Sequence, residues 1–529
     1  MTRPPSLVRA ASVLGSWTLV SRVLGYARDS LNAGLFGAGT VADAYFVAFR
    51  IPNLLRDLVA EGALSAAVIP AISRRCAPGR DGTRARGDAA RLVSALLTWV
   101  GLGGGVLVLL GGLAAPWIVH LMAPGFLGTG TKFALTVSLT RWLFPFILCM
   151  SLAAVVQAWL TAQERFGPQA FGPVALNACV IVAGLAILVR GRDAPEHEIY
   201  LWSAGVLAGG LAQWLVQVPA ARRAGLHFRW RWWHPGLADI GSLMVPALIG
   251  FSITQIYLLV NTILASFLPE GSVARIYYGN RLMQLPLGAI GVAISTVTYP
   301  VVARAFQARR PAEAAAALNR AVRLAAFAVL PAAAGLIALA PQINALLFRY
   351  GRFTAADAAI TAAVSSAYAV GIFGHVMNRV LAPAFYAAGR PWVPVAIDGV
   401  GVAANVLVST LLMFRIGVVG LPLSTSLVTL ATAGWLAWRL TPLAPGFGRG
   451  LGGSLGRSFG AALLMGLVVW GGMHAAVAAW PDLAGTAKGF EALATAGGIL
   501  LGFAIYAGLA RLLDHGEWRE VRAALKEKG

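Results

Sequence analysis

Ala95 to Leu121 reads ALLTWVGLGGGVLVLLGGLAAPWIVHL, a run without one Asp, Glu, Lys or Arg. An α-helix rises 1.5 Å per residue, so this run alone reaches about 40 Å, more than the ~30 Å hydrocarbon core of a bilayer. It lies in a candidate helix at 90–121, and the rest of the chain repeats the pattern. Hydrophobic segments separated by Gly, Pro and Arg breaks predict thirteen more helices, near 8–36, 41–72, 132–162, 169–190, 198–221, 238–268, 273–304, 317–348, 355–388, 392–414, 418–439, 452–480 and 489–513. A membrane β-barrel needs alternating segments of about ten residues, and these runs are far longer. The expected fold is an all-α polytopic membrane protein with about fourteen transmembrane helices.

Bulk composition agrees. Of 529 residues, 58% are hydrophobic and 12% charged, and mean hydropathy is +0.73. Soluble domains carry about 25% charged residues, so a soluble enzyme is excluded. The net charge of +21 and pI of about 11.0 would suggest nucleic acid in a soluble protein. Here loop arginines that orient the chain account for them, and no nucleic-acid partner is expected. With an inner N-terminus, the inner ends and loops hold 27 of the 42 Lys and Arg residues. The outer ones hold 9, among them Lys132 and Arg275, and six lie within spans. This bias predicts cytoplasmic termini. Ala10 to Val20 runs on into Ser21-Arg22 without a cleavage site, which argues against a signal peptide. Cys76, Cys149 and Cys179 show no CxxC spacing, and the seven histidines are scattered, so neither a disulfide framework nor a zinc site is expected.

An internal repeat organises the helices. Ala115-Pro116 with Gly125-Phe126 resembles Ala340-Pro341 with Gly351 and Phe353, and Pro70-x3-Arg74 resembles Pro300-x3-Arg304. Ala158-Trp159 to Arg165 resembles Ala384-Phe385 to Arg390, and Asn177 matches Asn405. The offsets fall between 225 and 230. Two pseudo-symmetric six-helix lobes follow, 1–222 and 223–440, with two extra C-terminal helices and a tail in 441–529. Transporters built from such parallel repeats bind substrate between the lobes.

Charges within the spans point to function. The cations are Arg22, Arg28, Arg50, Arg56, Arg281 and Arg379; the acids are Asp29, Asp43, Asp57, Glu61 and Asp398. Each would cost at least ~2.5–3.5 kcal/mol facing lipid at mid-membrane, so they line a wet cavity or pair with one another. Asp43, Arg50 and Asp57 follow at i, i+7 and i+14, one face of an ideal helix, although Pro52 interrupts it. A buried ion-pair network is one reading. The other starts from every cation being arginine, whose planar fork suits phosphate or carboxylate. An anionic substrate bearing phosphate or pyrophosphate follows, with Arg22, Arg28, Arg56 and Arg281 as contacts. Arg50 and Arg379 could instead snorkel, and Asp29, Asp43, Glu61, Arg50 and Arg379 form the candidate gating or coupling set. Asp43 is either a state-dependent switch or a static salt bridge. Asp398 with Asn261, Asn405 and Thr425 is either a weak cation site of hard oxygens or a satisfied polar core. The run Phe228-Arg229-Trp230-Arg231-Trp232-Trp233 reads as an interfacial anchor.

Ser21-Arg22-Val23-Leu24-Gly25-Tyr26-Ala27-Arg28-Asp29 resembles the helix 1 signature of the MurJ (MviN) family, the lipid II flippases of the multidrug/oligosaccharidyl-lipid/polysaccharide exporter superfamily. So do Asp43-Ala44-Tyr45-Phe46, Pro52-Asn53-Leu54-Leu55-Arg56, Ala60-Glu61-Gly62-Ala63, Ala123-Pro124-Gly125-Phe126 and Tyr277-Tyr278 with Arg281-Leu282-Met283. The resemblance implies that the chain flips lipid II from the cytoplasmic to the outer leaflet of the bacterial inner membrane by alternating access. It implies substrate arginines at Arg22, Arg28, Arg56 and Arg281, a functional Asp43, and a groove for the polyprenyl tail along the last two helices. No bond is made or broken and no cofactor is needed. Membrane potential, H+ or Na+ remain open as the driving force, because Asn261, Asn405, Ser409 and Thr425 offer fewer acids than the sodium site of some relatives. Gln284 stands where many relatives carry Glu. Expected partners are lipid II, membrane lipids and cell-wall synthesis proteins. The alternatives are a polysaccharide-lipid or multidrug exporter of the same fold, and a membrane enzyme acting on polyprenyl-linked substrates.

Overall fold

A computed structural model describes residues 7–57, 64–75, 82–191, 194–480, 488–513 and 516–526. Every regular element among the described residues is helical, as expected. Ten helical stretches among them are long and apolar enough to cross a membrane, which makes this a multi-pass membrane protein. The stretch Trp392–Leu440 is counted as one, although a turn at Gly417–Val419 divides it. The count of fourteen is not reached by that criterion.

The chain forms two compact units: Met1–Val273 with Tyr350–Phe353, and Ala274–Arg349 with Thr354–Gly529. In the first, α1 is Leu7–Phe36, α2 Thr40–Leu55, α3 Leu64–Arg75, α4 Gly82–Met122 and α5 Gly130–Leu143. There follow α6 Pro145–Ala162, α7 Gly167–Arg190, α8 Pro195–Leu215, α9 Val218–Arg223 and α10 Gly236–Ser266. Gly37 ends α1 at φ +65°, a left-handed conformation that costs glycine nothing. Its carbonyl-side neighbours leave no room for a side chain, since an added Cβ would sit 2.7 Å from the Arg352 carbonyl oxygen. The Arg352 N–H also donates to the Gly34 carbonyl at 2.9 Å, so the α1–α2 turn is gripped through backbone. The core gathers Ile72, Leu92, Val155 and Trp159 from α3, α4 and α6. Trp159 is fully buried, and a side chain of this size contributes about 1.5–3 kcal/mol or more on burial.

The expected helix at 132–162 is two. Pro145 starts α6 directly after Phe144, where its missing N–H costs no intrahelical bond. The expected helix at 41–72 is likewise α2 and α3, with 58–63 between them outside the described residues.

In the second unit, α11 is Ser272–Pro286, α12 Val292–Gln307, α13 Pro311–Ala338, α14 Ala340–Phe348, α15 Ala355–Val370 and α16 Ile372–Ala387. The remaining helices are α17 Trp392–Ile416, α18 Gly420–Leu440, α19 Leu451–Ala479, α20 Lys488–Leu512 and α21 Gly516–Lys526. A π turn at Leu287–Gly291 joins α11 to α12 after Pro286. Arg56 and Asp57 also lie in a π turn. At the offset of 230 that relates Pro70 to Pro300, Asp57 corresponds to Leu287. Phe327 and Leu339 pack with Met465, Val469 and Tyr506 of α19 and α20, and the Tyr506 hydroxyl donates to the Phe327 carbonyl at 2.9 Å.

The helix α21 was not foreseen. Glu517 is buried, accepts from Ser454 Oγ at 2.9 Å and lies 3.3 Å from Arg323 Nε. Glu520 takes Arg320 Nε at 2.9 Å. Two acids three apart on α21 thus meet two arginines three apart on α13.

Candidate functional site

Arg28 and Asp29 sit on α1 in a part-buried setting. Adjacent helical residues do not face each other, yet the arginine stem is long enough to fold back. Arg28 Nε and Nη2 both donate to Asp29 Oδ1, at 3.0 and 2.7 Å. Its Nη1 donates to Asn177 Oδ1 of α7 at 3.1 Å. Asn177 in turn donates through Nδ2 to the Ser21 carbonyl at 3.2 Å and to Ser21 Oγ at 3.5 Å. One asparagine therefore joins α7 to α1 and holds one edge of the guanidinium.

Arg56 repeats the pattern in the π turn. Its Nε and Nη2 donate to Asp57 Oδ1 at 3.1 and 2.8 Å, while Asn53 Nδ2 reaches Asp57 Oδ2 at 3.4 Å. Arg56 thus pairs with the adjacent Asp57. About a quarter of each side chain is accessible (24% and 26%), so this pair can still meet a ligand. Arg22 is exposed and has no ion pair among the described residues. Arg50 Nε donates to Thr262 Oγ1 of α10 at 3.3 Å. Its neighbours at i−7 and i+7, Asp43 and Asp57, have other partners. In the second unit Arg281 Nη1 donates to Gln284 Oε1 at 3.1 Å, and Gln284 Nε2 donates to Asn280 Oδ1 at 2.8 Å. Arg379 is exposed, and its carbonyl accepts from Ser295 Oγ at 3.0 Å.

Asp43 is 1% exposed in the first turn of α2. Its Oδ2 accepts from Lys132 Nζ at 2.7 Å and from the Gly271 N–H at 2.8 Å. Lys132, counted among the outer ends and loops, lies in the first turn of α5, 7% exposed, with Nζ 4.1 Å from the centre of the Phe126 ring. Nearby Glu270 accepts from the Thr40 N–H and Oγ1, at 2.6 and 2.7 Å. Arg275, counted on the same side, belongs to α11 and pairs with Asp357 at 2.7 Å. Asp357 also completes a capping box with Thr354, a Thr-x-x-Asp signal legible in the sequence. Glu61 lies outside the described residues.

Asn405 on α17 donates to Ser424 Oγ and Thr425 Oγ1 of α18, each at 3.3 Å. Asn405 Oδ1 and Ser409 Oγ are buried without a hydrogen-bond partner. Asp398 lies seven residues before Asn405, on the same face of α17. Asn261 belongs to the first unit. No cluster of three or more His, Cys, Asp or Glu suited to a metal occurs among the described residues.

Chemically, Arg28, Arg56 and Arg281 are held guanidinium groups, a type of donor suited to oxyanions. The signal missed in the sequence was the carboxamide. Asn177 was visible only as a mark of the repeat and Gln284 only as a departure from relatives, because a hydrogen bond across 149 residues has no local pattern.

The chain was then compared with known proteins. The family profile described as "Lipid II flippase MurJ" matches residues 32–482. The lipid II flippase MurJ of Burkholderia cenocepacia is 36% identical over 401 residues, covering 74% of this chain and 75% of that protein. Among solved structures, a lipid II flippase MurJ in an inward closed conformation superposes with a TM-score of 0.75 at 22% identity, covering 95% of this chain and 99% of that one. An inward-facing multidrug resistance MATE family transporter of the MOP superfamily gives 0.64 at 18% identity, over 82% and 98% of the two chains. At these identities the structural likenesses establish the shared fold.

Proposed function

The chain belongs to the MurJ family of lipid II flippases, and on that premise we propose that it moves lipid II from the cytoplasmic to the outer leaflet of a bacterial inner membrane. The observation that carries the reading is the set of preoriented arginines in a chain with so few charges. Arg22, Arg28 and Arg56 in the first unit and Arg281 in the second are the proposed contacts of the pyrophosphate head. A pyrophosphate entering a low-dielectric region loses hydration worth many kcal/mol. Guanidinium donors replace that hydration with charge-assisted hydrogen bonds. No bond is made or broken in the cycle, so the protein acts as a carrier and not as an enzyme.

The polyprenyl tail stays in lipid, along α19 and α20, which follow the two repeats. The lobes of the proposed carrier are 1–222 and 223–440, with 441–529 serving the tail. Alternating access, with Asp29, Asp43, Glu61, Arg50 and Arg379 as gating or coupling groups, returns the empty carrier. Net positive charge lets the membrane potential drive that return, at ~2.3 kcal/mol per charge per 100 mV. Cation coupling through Asp398, Asn405, Thr425 and Asn261 is the competing drive, and Na+ and H+ dependence of transport separates the two. The arginine bias supports cytoplasmic termini. Cell-wall synthesis proteins are the proposed protein partners.

A polysaccharide-lipid or multidrug exporter is the second reading, favoured by the MATE-like fold. The arginine set disfavours cationic drugs. The deciding experiment is direct binding of lipid II to the purified protein, beside Arg28→Ala and Arg281→Ala. Tight binding that is lost in both variants, with folding intact, supports the flippase. Equal binding in all three makes these arginines structural and moves the exporter forward.

A further inference from the structure

Two of the arginines are oriented by neutral carboxamides, one in each unit. Asn177 Oδ1 accepts from Arg28 Nη1, and Gln284 Oε1 accepts from Arg281 Nη1, both at 3.1 Å. Each amide is itself fixed by what its NH2 group donates to: Ser21 for Asn177, Asn280 for Gln284. The amide cannot turn round, because its NH2 would then face a guanidinium that only donates. Asn177 is 6% exposed, so its place is set by packing between α7 and α1 as well as by hydrogen bonds.

A carboxylate would hold the guanidinium more strongly, but it would lose the donor that anchors the amide to Ser21 or Asn280 and add a negative charge beside the guanidinium. At Arg28 that matters most. Asp29 already takes Nε and Nη2 through a single oxygen. A second acid would turn a neutral pair into a net anion and repel a phosphate ligand. A carboxamide holds the third edge at no electrostatic cost to the ligand.

We propose that Asn177 and Gln284 are positioning residues for anion binding: each fixes the plane of one substrate arginine without cancelling its charge. The proposal rests on the flippase reading, since it names the groups that set the affinity of that same site.

The test is lipid II binding to the full chain in one detergent, with thermal midpoints measured alongside. The variants are Asn177→Ala, Asn177→Asp, Arg28→Ala and the double variant Arg28→Ala/Asn177→Ala, with Gln284→Ala and Arg281→Ala as a second set. Asn177→Ala is expected to weaken binding about tenfold, which converts to about 1.4 kcal/mol. The double variant is expected to bind like Arg28→Ala alone, because Asn177 acts through that arginine. Asn177→Asp keeps an acceptor for Arg28 but gives up the donor to the Ser21 carbonyl, so its thermal midpoint should be no lower than that of Asn177→Ala while binding falls further than in Asn177→Ala. A structural role would give the reverse: binding losses that only track the midpoints, losses that add in the double variant, and full binding in Asn177→Asp. Either additive losses or an undiminished Asn177→Asp would overturn the proposal. Should the wild type itself fail to bind lipid II, the flippase reading falls and the positioning role falls with it.

Discussion

Removing Lys132 should expose how much the first unit depends on one buried ion pair. Asp43 and Lys132 lie 2.7 Å apart with side chains 1% and 8% accessible. Lys132→Met keeps the stem but removes the ammonium that faces Asp43 at 2.7 Å and the Phe126 ring, while the Gly271 N–H stays in place. Removing one partner of a buried ion pair costs about 3–5 kcal/mol. At about 2–4 °C per kcal/mol for a body of about 150–250 residues, the thermal midpoint should fall by roughly 6–20 °C. Asp43→Asn/Lys132→Met removes both charges while the new amide oxygen still accepts from Gly271. It should recover all but about 1 kcal/mol, since neutral replacement of a whole buried pair is often nearly free. The coupling between the two sites is then at least about 2 kcal/mol. Thermal unfolding followed by tryptophan fluorescence in a single detergent measures all four corners of the cycle. Because the pair is buried, the result should not change as salt is raised. If Lys132→Met costs under about 1 kcal/mol, or the double variant is no better than Lys132→Met, the pair is not an isolated buried charge couple and the reasoning fails.

Three other outcomes are expected. Glu517→Ala removes the buried acid that ties α21 to Ser454 and Arg323; at about 2 kcal/mol, opening of α21 rises about thirtyfold, read as faster trypsin cleavage at Arg519 and Arg522, and an unchanged rate would show that the clamp does not hold α21. Gly125→Ala should block folding, since its Cβ would lie 2.1 Å from the Ser266 carbonyl oxygen and neither backbone can yield; a well-folded variant, judged by monodisperse yield, would contradict that close approach. Trp230 and Trp232 are exposed, and the segment is tied to α4 by Arg231 N–H to Thr98 Oγ1 at 3.4 Å and by Trp99 Nε1 to the Trp232 carbonyl at 2.8 Å. Lipids brominated near the head group should therefore quench the fluorescence lost in Trp230→Phe/Trp232→Phe, whereas quenching by aqueous iodide alone would place these rings in water.

Much of the helix layout was legible. The boundaries expected at 169–190, 392–414 and 452–480 lie within two residues of α7, α17 and α19. Long apolar runs ended by Gly and Pro leave the chain little choice in lipid, where every backbone group must bond within its own helix. Where the layout was misjudged, a local feature overruled hydropathy. Pro145 split one expected span, and α21 was passed over because its apolar positions are few.

The site divides differently. Which residues carry charge, and that they are arginines, is a matter of composition and can be read directly. The neighbouring pairs Arg28–Asp29 and Arg56–Asp57 are less direct, because adjacent helical residues point to different faces and meet only where the arginine stem folds back. The partners of Asp43, and the amides that hold Arg28 and Arg281, were another matter. Lys132 was read only as an outer-side cation because hydropathy shows no counter-charge, and Asp43 stands 89 residues away. Sequence by itself thus determined the membrane character and the helices, since these follow from local hydropathy and residue type. Tertiary structure alone decided which charges pair with each other and which are held by neutral amides, because only packing brings α7 to α1 and α5 to α2.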